Sequence, residues 1–245
     1  MRRVLFEIHG LRVYSYPALL YVGLVVGIAV GYAMAARAGL APAAFYAATF
    51  VLLVPALSGA RLLHVLVNWS EYRRAPRRIL RFEEGGASLY GGLLLAFVVS
   101  APVLRWLDVA FWSYWDVASF TLLIGMAFTK IGCFLNGCCA GRPTSGRWAI
   151  TSTDHRGVTC PRIPAQLLES LLALVLFTGV LLAWSRRPFA GMIFLGMVLT
   201  YGLGRVGLEL TRDTVDVVAG IRSNVVISAG LVIATAGTLL VLAVR

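Results

Sequence analysis

The chain has 245 residues, 59% of them hydrophobic and only 13% charged, with a mean hydropathy of +0.83. A soluble domain carries roughly twice that charged fraction, so the composition excludes an ordinary water-soluble enzyme and leaves no room for a large domain outside the membrane. Net charge is +11 and the pI about 10.2, but the basic residues fall between long apolar runs, which points to anionic lipid head groups and away from nucleic acid.

The apolar runs are continuous and not alternating, so helices and not a barrel cross the membrane. The expectation is an all-α integral membrane protein. It is a single polytopic domain, 1–245, of about seven transmembrane helices of ~20 residues joined by short polar connections.

Residues 1–16 are mixed in character, and Tyr14 and Tyr16 mark a membrane interface. The first span, 17–36, opens on Pro17, a residue suited to a first helical turn, and is long enough to remain as a span. Gly23, Gly27 and Gly31 repeat at i+4, which favours close helix packing. The second span, 43–67, follows Pro42 and carries Arg61, with His64 one turn on. An arginine inside a span has two readings, a functional site or the partner of a carboxylate. Residues 68–86 hold Arg73, Arg74, Arg77, Arg78 and Arg81, placed as on one face of a short surface helix or in a solvated loop. Glycines 85, 86, 91 and 92 flank Tyr90 at the start of the third span, 87–107. Taken alone, Tyr90 reads as an interface anchor.

The fourth span, 111–135, contains Asp116 and runs into the central stretch, Gly125 to Arg142. Lys130 is the sole lysine of the chain. An ammonium there either snorkels to the interface or waits, buried, for an anion. Cys133, Cys138, Cys139 and Cys160 show no Cys-x-x-Cys spacing, and His155 is the one nearby imidazole, so the metal signal is weak. Small-residue packing or a disulfide is the stronger reading. A polar, irregular connection, 141–163, leads to the fifth span, 164–184, where Gln166 and Glu169 share a face. The sixth span, 189–211, ends with Arg205, Glu209 and Arg212 along one face: an i,i+4 ion pair with a further arginine left for an outside anion. The seventh span, 222–244, is apolar.

Three groups of residues, in this order, resemble the bacterial prolipoprotein diacylglyceryl transferases: Gly132, Phe134, Asn136, Gly137, Gly141 and Arg142; Pro161, Arg162, Pro164, Gln166 and Glu169; and Tyr201, Gly202, Arg205, Glu209 and Arg212. The resemblance implies an enzyme of lipoprotein biosynthesis in the bacterial inner membrane. It would move the diacylglyceryl group of phosphatidylglycerol to the lipobox cysteine thiol of a prolipoprotein signal peptide, forming a thioether and releasing glycerol phosphate. It implies no metal or organic cofactor. By position, Tyr90, Arg205 and Glu209 fall to catalysis, and Arg61, Lys130, Asn136, Arg142, Arg162, Gln166, Glu169 and Arg212 to holding the substrate and its phosphate, a task that suits cations. The chain departs from the family where Tyr90 replaces the histidine assigned as base, Lys130 an arginine, Cys133 an asparagine and Cys138 an acidic residue. A phenol with a pKa near ~10 is a weak base unless a cation such as Lys130 or Arg205 lowers it. The family's topology also implies an oxidising compartment for Cys138, Cys139 and Cys160, and so a disulfide from Cys160 to Cys138 or Cys139. That topology puts the N-terminus outside the cytoplasm, whereas the excess of basic residues in the connections on the N-terminal side puts it inside. The rival readings are a paralogue acting on another lipid or acceptor, and a lipid-binding or transport protein.

Overall fold

A computed structural model of the chain describes residues 2–8, 11–81, 86–154, 157–213, 217–218 and 221–244. Gly85 and His155, both singled out above, lie outside the described residues. Among the described residues, seven helices are long and apolar enough to cross a membrane. They are α1 Ser15–Arg37, α2 Pro42–Val67, α4 Leu89–Trp106, α5 Phe111–Asn136, α6 Ala165–Ala183, α7 Met192–Glu209 and α8 Ser223–Val244, with a short α3, Trp69–Tyr72, between the second and third of them. Each span falls within a few residues of its expected bounds.

What the sequence reading missed are three short antiparallel hairpins: β1 Val4–Ile8 with β2 Leu11–Tyr14, β3 Ile150–Thr153 with β4 Thr159–Arg162, and β5 Val217–Val218 with β6 Ile221–Arg222. These segments are too short for a convincing alternation. A backbone at a membrane surface must still pair its polar groups, and a hairpin does so locally. The chain divides into two compact units, residues 32–114 and residues 1–31 with 115–245.

In unit 32–114, α2 and α4 meet at a pair of glycines. A Cβ on Gly59 would strike the Gly91 carbonyl oxygen, and one on Gly91 would strike that of Gly59. Only glycine lets the two backbones approach this closely. Phe45, Leu52 and Leu104 are buried, and the Thr49 hydroxyl donates to the Phe45 carbonyl at 2.8 Å. The arginine-bearing connection forms α3 and a 3₁₀ turn, Pro76–Leu80, in place of one helix. Pro76 lacks an N–H and suits the start of a new turn, so it splits the run.

In the other unit, α1 lies on α5. A Cβ at Gly27 would come within 2.7 Å of the Thr121 carbonyl oxygen, and the Thr121 hydroxyl donates to the Gly27 carbonyl at 2.9 Å. Ser170 of α6 donates to the Ala127 carbonyl of α5 at 2.9 Å. Asp116 of α5 is fully buried and accepts from the backbone N–H groups of Gly191 (2.8 Å) and Phe194 (3.0 Å) at the start of α7. A carboxylate from 75 residues away thus does the work of an N-cap and answers the helix dipole.

Candidate active site

Helices α5, α6 and α7 each carry charge into one place. Glu169 of α6 is 2% exposed and lies at its centre. Its Oε1 is 2.8 Å from Lys130 Nζ of α5, accepts the Tyr201 hydroxyl of α7 at 2.9 Å, and is 3.8 Å from Arg205 Nε. Its Oε2 is 3.5 Å from Arg212 NH1. Arg205 NH1 reaches Glu209 Oε2 at 2.7 Å, the i,i+4 pair expected on α7. Among the described residues, three cations therefore share two carboxylates, leaving one positive charge in excess. Burial makes that excess costly unless an anion completes the set.

Arg212 is not the open cation the spacing suggested, because Glu169 engages it. Lys130 pairs with Glu169, and Arg205 with Glu169 and Glu209. Tyr201, present in the motif but given no role, is the residue the sequence reading overlooked here.

Arg162 belongs to a second cluster in the same unit. Its NH2 is 2.9 Å from Asp154 Oδ2, and its NH1 is 3.0 Å from Asp213 Oδ2 and donates to the Gly141 carbonyl at 3.2 Å. Two carboxylates meet one guanidinium, so Arg162 ties the connection together. Around it, Arg142 N–H donates to the Thr211 carbonyl, Ile163 N–H to that of Arg142, and Asp213 N–H to that of Ala140. A Cβ at Gly141 would strike the Ile163 carbonyl oxygen, which explains the glycine. This seam holds the end of α7 and leaves the Arg142 side chain exposed.

α5 ends in a Schellman turn. Cys138 N–H donates to the Cys133 carbonyl at 3.1 Å and Gly137 N–H to that of Phe134 at 3.3 Å, with Gly137 at φ 82°. Asn136 hydrogen-bonds the Cys138 thiol, and the Gln166 amide donates to the Cys138 carbonyl at 2.8 Å. The turn folds Cys138 and Cys139 back over Cys133, so that the three sulfur atoms lie within 4.8 Å of one another. Lys130 and Arg212 lie beside the Cys139 thiol. All four cysteines are free, so the expected disulfide from Cys160 is not formed. Cys160 sits on β4 opposite Ser152, outside this group.

In unit 32–114, Arg61 is 4% exposed and gives its donors to the backbone. Nε donates to the Ile79 carbonyl (3.0 Å), NH1 to that of Gly86 (3.0 Å), and NH2 to those of Arg78 (2.7 Å) and Arg81 (3.1 Å). It clamps the connection. Tyr90 is buried in the first turn of α4, beside the Gly59–Gly91 contact.

The sequence profile of the family described as prolipoprotein diacylglyceryl transferase matches residues 3–241. The chain belongs to the prolipoprotein diacylglyceryl transferase family. The matched region takes in every charged group of the cluster and the three-thiol turn. Relatives named phosphatidylglycerol–prolipoprotein diacylglyceryl transferase include one from Trichormus variabilis, 28% identical over 249 residues, covering 96% of this chain and 87% of the relative. Another, from Geobacillus kaustophilus, is 28% identical and covers 94% of this chain and 88% of its own. One from Geobacter sulfurreducens is 32% identical over 166 residues, 67% of this chain and 63% of the relative.

Proposed function

We propose that this transferase moves the diacylglyceryl group of phosphatidylglycerol to the lipobox cysteine thiol of prolipoprotein signal peptides, in the bacterial inner membrane. A sulfur–carbon bond forms at the glycerol carbon. The carbon–oxygen bond to phosphate breaks, and glycerol phosphate leaves with the electron pair. The observation that carries this reading is the buried excess, among the described residues, of the positive charges of Lys130, Arg205 and Arg212 over Glu169 and Glu209. A phosphodiester brings the one negative charge that completes the set, and its phosphate gains charge as the ester breaks, which preorganised cations favour.

In this reading Arg205, Arg212 and Lys130 bind the phosphate. Glu169 and Glu209 hold those cations in place and make their burial tolerable. The exposed Arg142 receives the head group at the rim, Asn136 and Gln166 brace the cysteine turn, and Arg162 and Arg61 fix connections. Tyr90 occupies the position of the family's base, and its share is settled by substitution, as argued below.

The test uses detergent-purified protein, phosphatidylglycerol labelled in its acyl chains, and a lipobox peptide. Label should pass to the cysteine peptide and not to its serine counterpart, with release of glycerol phosphate. Transfer to neither, by a protein that keeps a sharp thermal transition, overturns the reading.

A further inference from the structure

The three thiols of Cys133, Cys138 and Cys139 have no part in the reading above, yet the fold takes care to assemble them. Their sulfur atoms lie within 4.8 Å of one another. A metal–sulfur length of about 2.3 Å places the sulfurs of a shared ion roughly 4 Å apart, so the group needs little contraction to close on one. The backbone imposes the arrangement. The Schellman turn folds residues 138 and 139 over the end of α5, and a Cβ at Gly137 would lie 2.5 Å from the Thr153 carbonyl oxygen. Cys139 adopts φ 57°, a left-handed conformation that a cysteine rarely takes, and Gln166 fixes the Cys138 carbonyl. A loop that needed only a small residue would place glycine at position 139 with less strain.

Two cations also border the group. Lys130 precedes Cys133 by three residues on α5 and so lies on the same face. Arg212 makes a side-chain hydrogen bond with Cys139.

We infer that Cys133, Cys138 and Cys139 form a three-thiolate site for a divalent thiophilic cation of the zinc class, with its fourth position open to a substrate thiol. The count of ligands points to the open position. No further cysteine, histidine or carboxylate joins the group among the described residues. Structural zinc sites are closed by four protein ligands, whereas catalytic ones keep a position for water or substrate. The second half of the inference rests on the proposed transfer reaction, in which a thiol must lose a proton before it attacks. Coordination deprotonates a thiol outright. The lipobox S–H proton passes to water, the metal-held sulfur attacks the glycerol carbon, and the phosphate leaves with the electron pair of the broken carbon–oxygen bond. The metal changes neither charge nor oxidation state, and the thioether product, a weaker ligand than a thiolate, dissociates.

Cobalt(II) is the probe, added to the full-length detergent-purified chain after chelator stripping. Wild type should take up one equivalent and show thiolate-to-metal charge transfer with tetrahedral ligand-field bands. Cys138→Ser should lower the charge-transfer intensity, the variant combining Cys133→Ser, Cys138→Ser and Cys139→Ser should lose it, and Cys160→Ser should keep it. Absence of the band in folded wild type, or its persistence in the triple variant, overturns the site. A lipobox cysteine peptide should then shift the ligand-field bands while its serine counterpart does not. No shift, or tight preference for monovalent copper satisfied by three sulfurs, overturns the role of the open position. The two readings fail separately. Intact cobalt bands without lipid transfer under any metal condition count against the transferase reading alone. Undiminished transfer by the stripped wild type counts against the metal alone.

Discussion

Arg205 meets two carboxylates from one buried position, and its removal is the most informative single change. Arg205→Ala takes away a proposed phosphate ligand and leaves Glu209, 1% exposed, without its 2.7 Å partner. Breaking a buried pair in this way costs about 3–5 kcal/mol. Transfer is expected to fall by about 10²–10³-fold, as for loss of one preorganised transition-state contact, together with a lowered thermal midpoint. Arg205→Lys should restore the midpoint more than the rate, because an ammonium keeps the charge but not the two-pronged geometry. Equal recovery of both would remove the phosphate role. Tyr90 calls for a different expectation. Since Lys130 lies 2.8 Å from Glu169, its charge is already answered and is not held in reserve for a phenolate. Tyr90→Phe should therefore cost less than about tenfold in turnover, and a loss of about 10²–10⁴-fold would establish the phenol as general base.

At the scale of the helix, placement depends on a few contacts that a hydropathy profile does not reveal. Asp116 satisfies two N–H groups at the start of α7, the helix that carries Tyr201, Arg205 and Glu209. Asp116→Ala orphans both donors in a buried place, at about 1–3 kcal/mol for each unsatisfied group. The expected result is a clear drop in thermal midpoint, with transfer by the fraction that remains folded little changed, because Asp116 touches no proposed ligand. A loss of transfer at full stability would instead give Asp116 a direct part. The α2–α4 contact is similarly exacting. In Gly91→Val the new side chain meets the Gly59 carbonyl and Leu63 head-on, so the helices must separate. Poor recovery of folded protein is expected, and a normal yield with an unchanged thermal midpoint would show that the contact is softer than drawn.

Across the whole molecule, a net charge of +11 sits on a chain with few carboxylates. Arg73, Arg74 and Arg77 are exposed in the connection that Arg61 clamps, where they can meet anionic head groups. Each basic residue near a membrane surface contributes about 1 kcal/mol of attraction to anionic lipid. Replacing all three with Gln should raise the apparent KM for phosphatidylglycerol diluted in zwitterionic micelles and leave kcat unchanged. Added salt should shrink the difference between variant and wild type. An unchanged KM at low salt would show that the segment does not face the donor lipid.

The spans were legible in the sequence because a bilayer selects for them locally: about 20 apolar residues mark a helix whatever it packs against. The Arg205–Glu209 pair was legible for a similar reason, since a helix fixes which residues four apart are neighbours. Partners beyond one helix were not. Lys130 kept a snorkelling reading beside the buried one until α6 brought Glu169 to it, and the spacing around Arg162 gave no sign of its partners Asp154 and Asp213. Arg61 read as a functional cation or the partner of a carboxylate, and its hydrogen bonds to carbonyls 17 to 25 residues away were not legible. The cysteines read as a weak metal signal because their spacing matches no linear motif, and only the Schellman turn at Gly137 draws the three sulfurs together. Periodicity along one element is local and written in the chain. The choice of partner for a buried charge or thiol depends on which distant element arrives beside it, and that was decided by the packing of α5, α6 and α7.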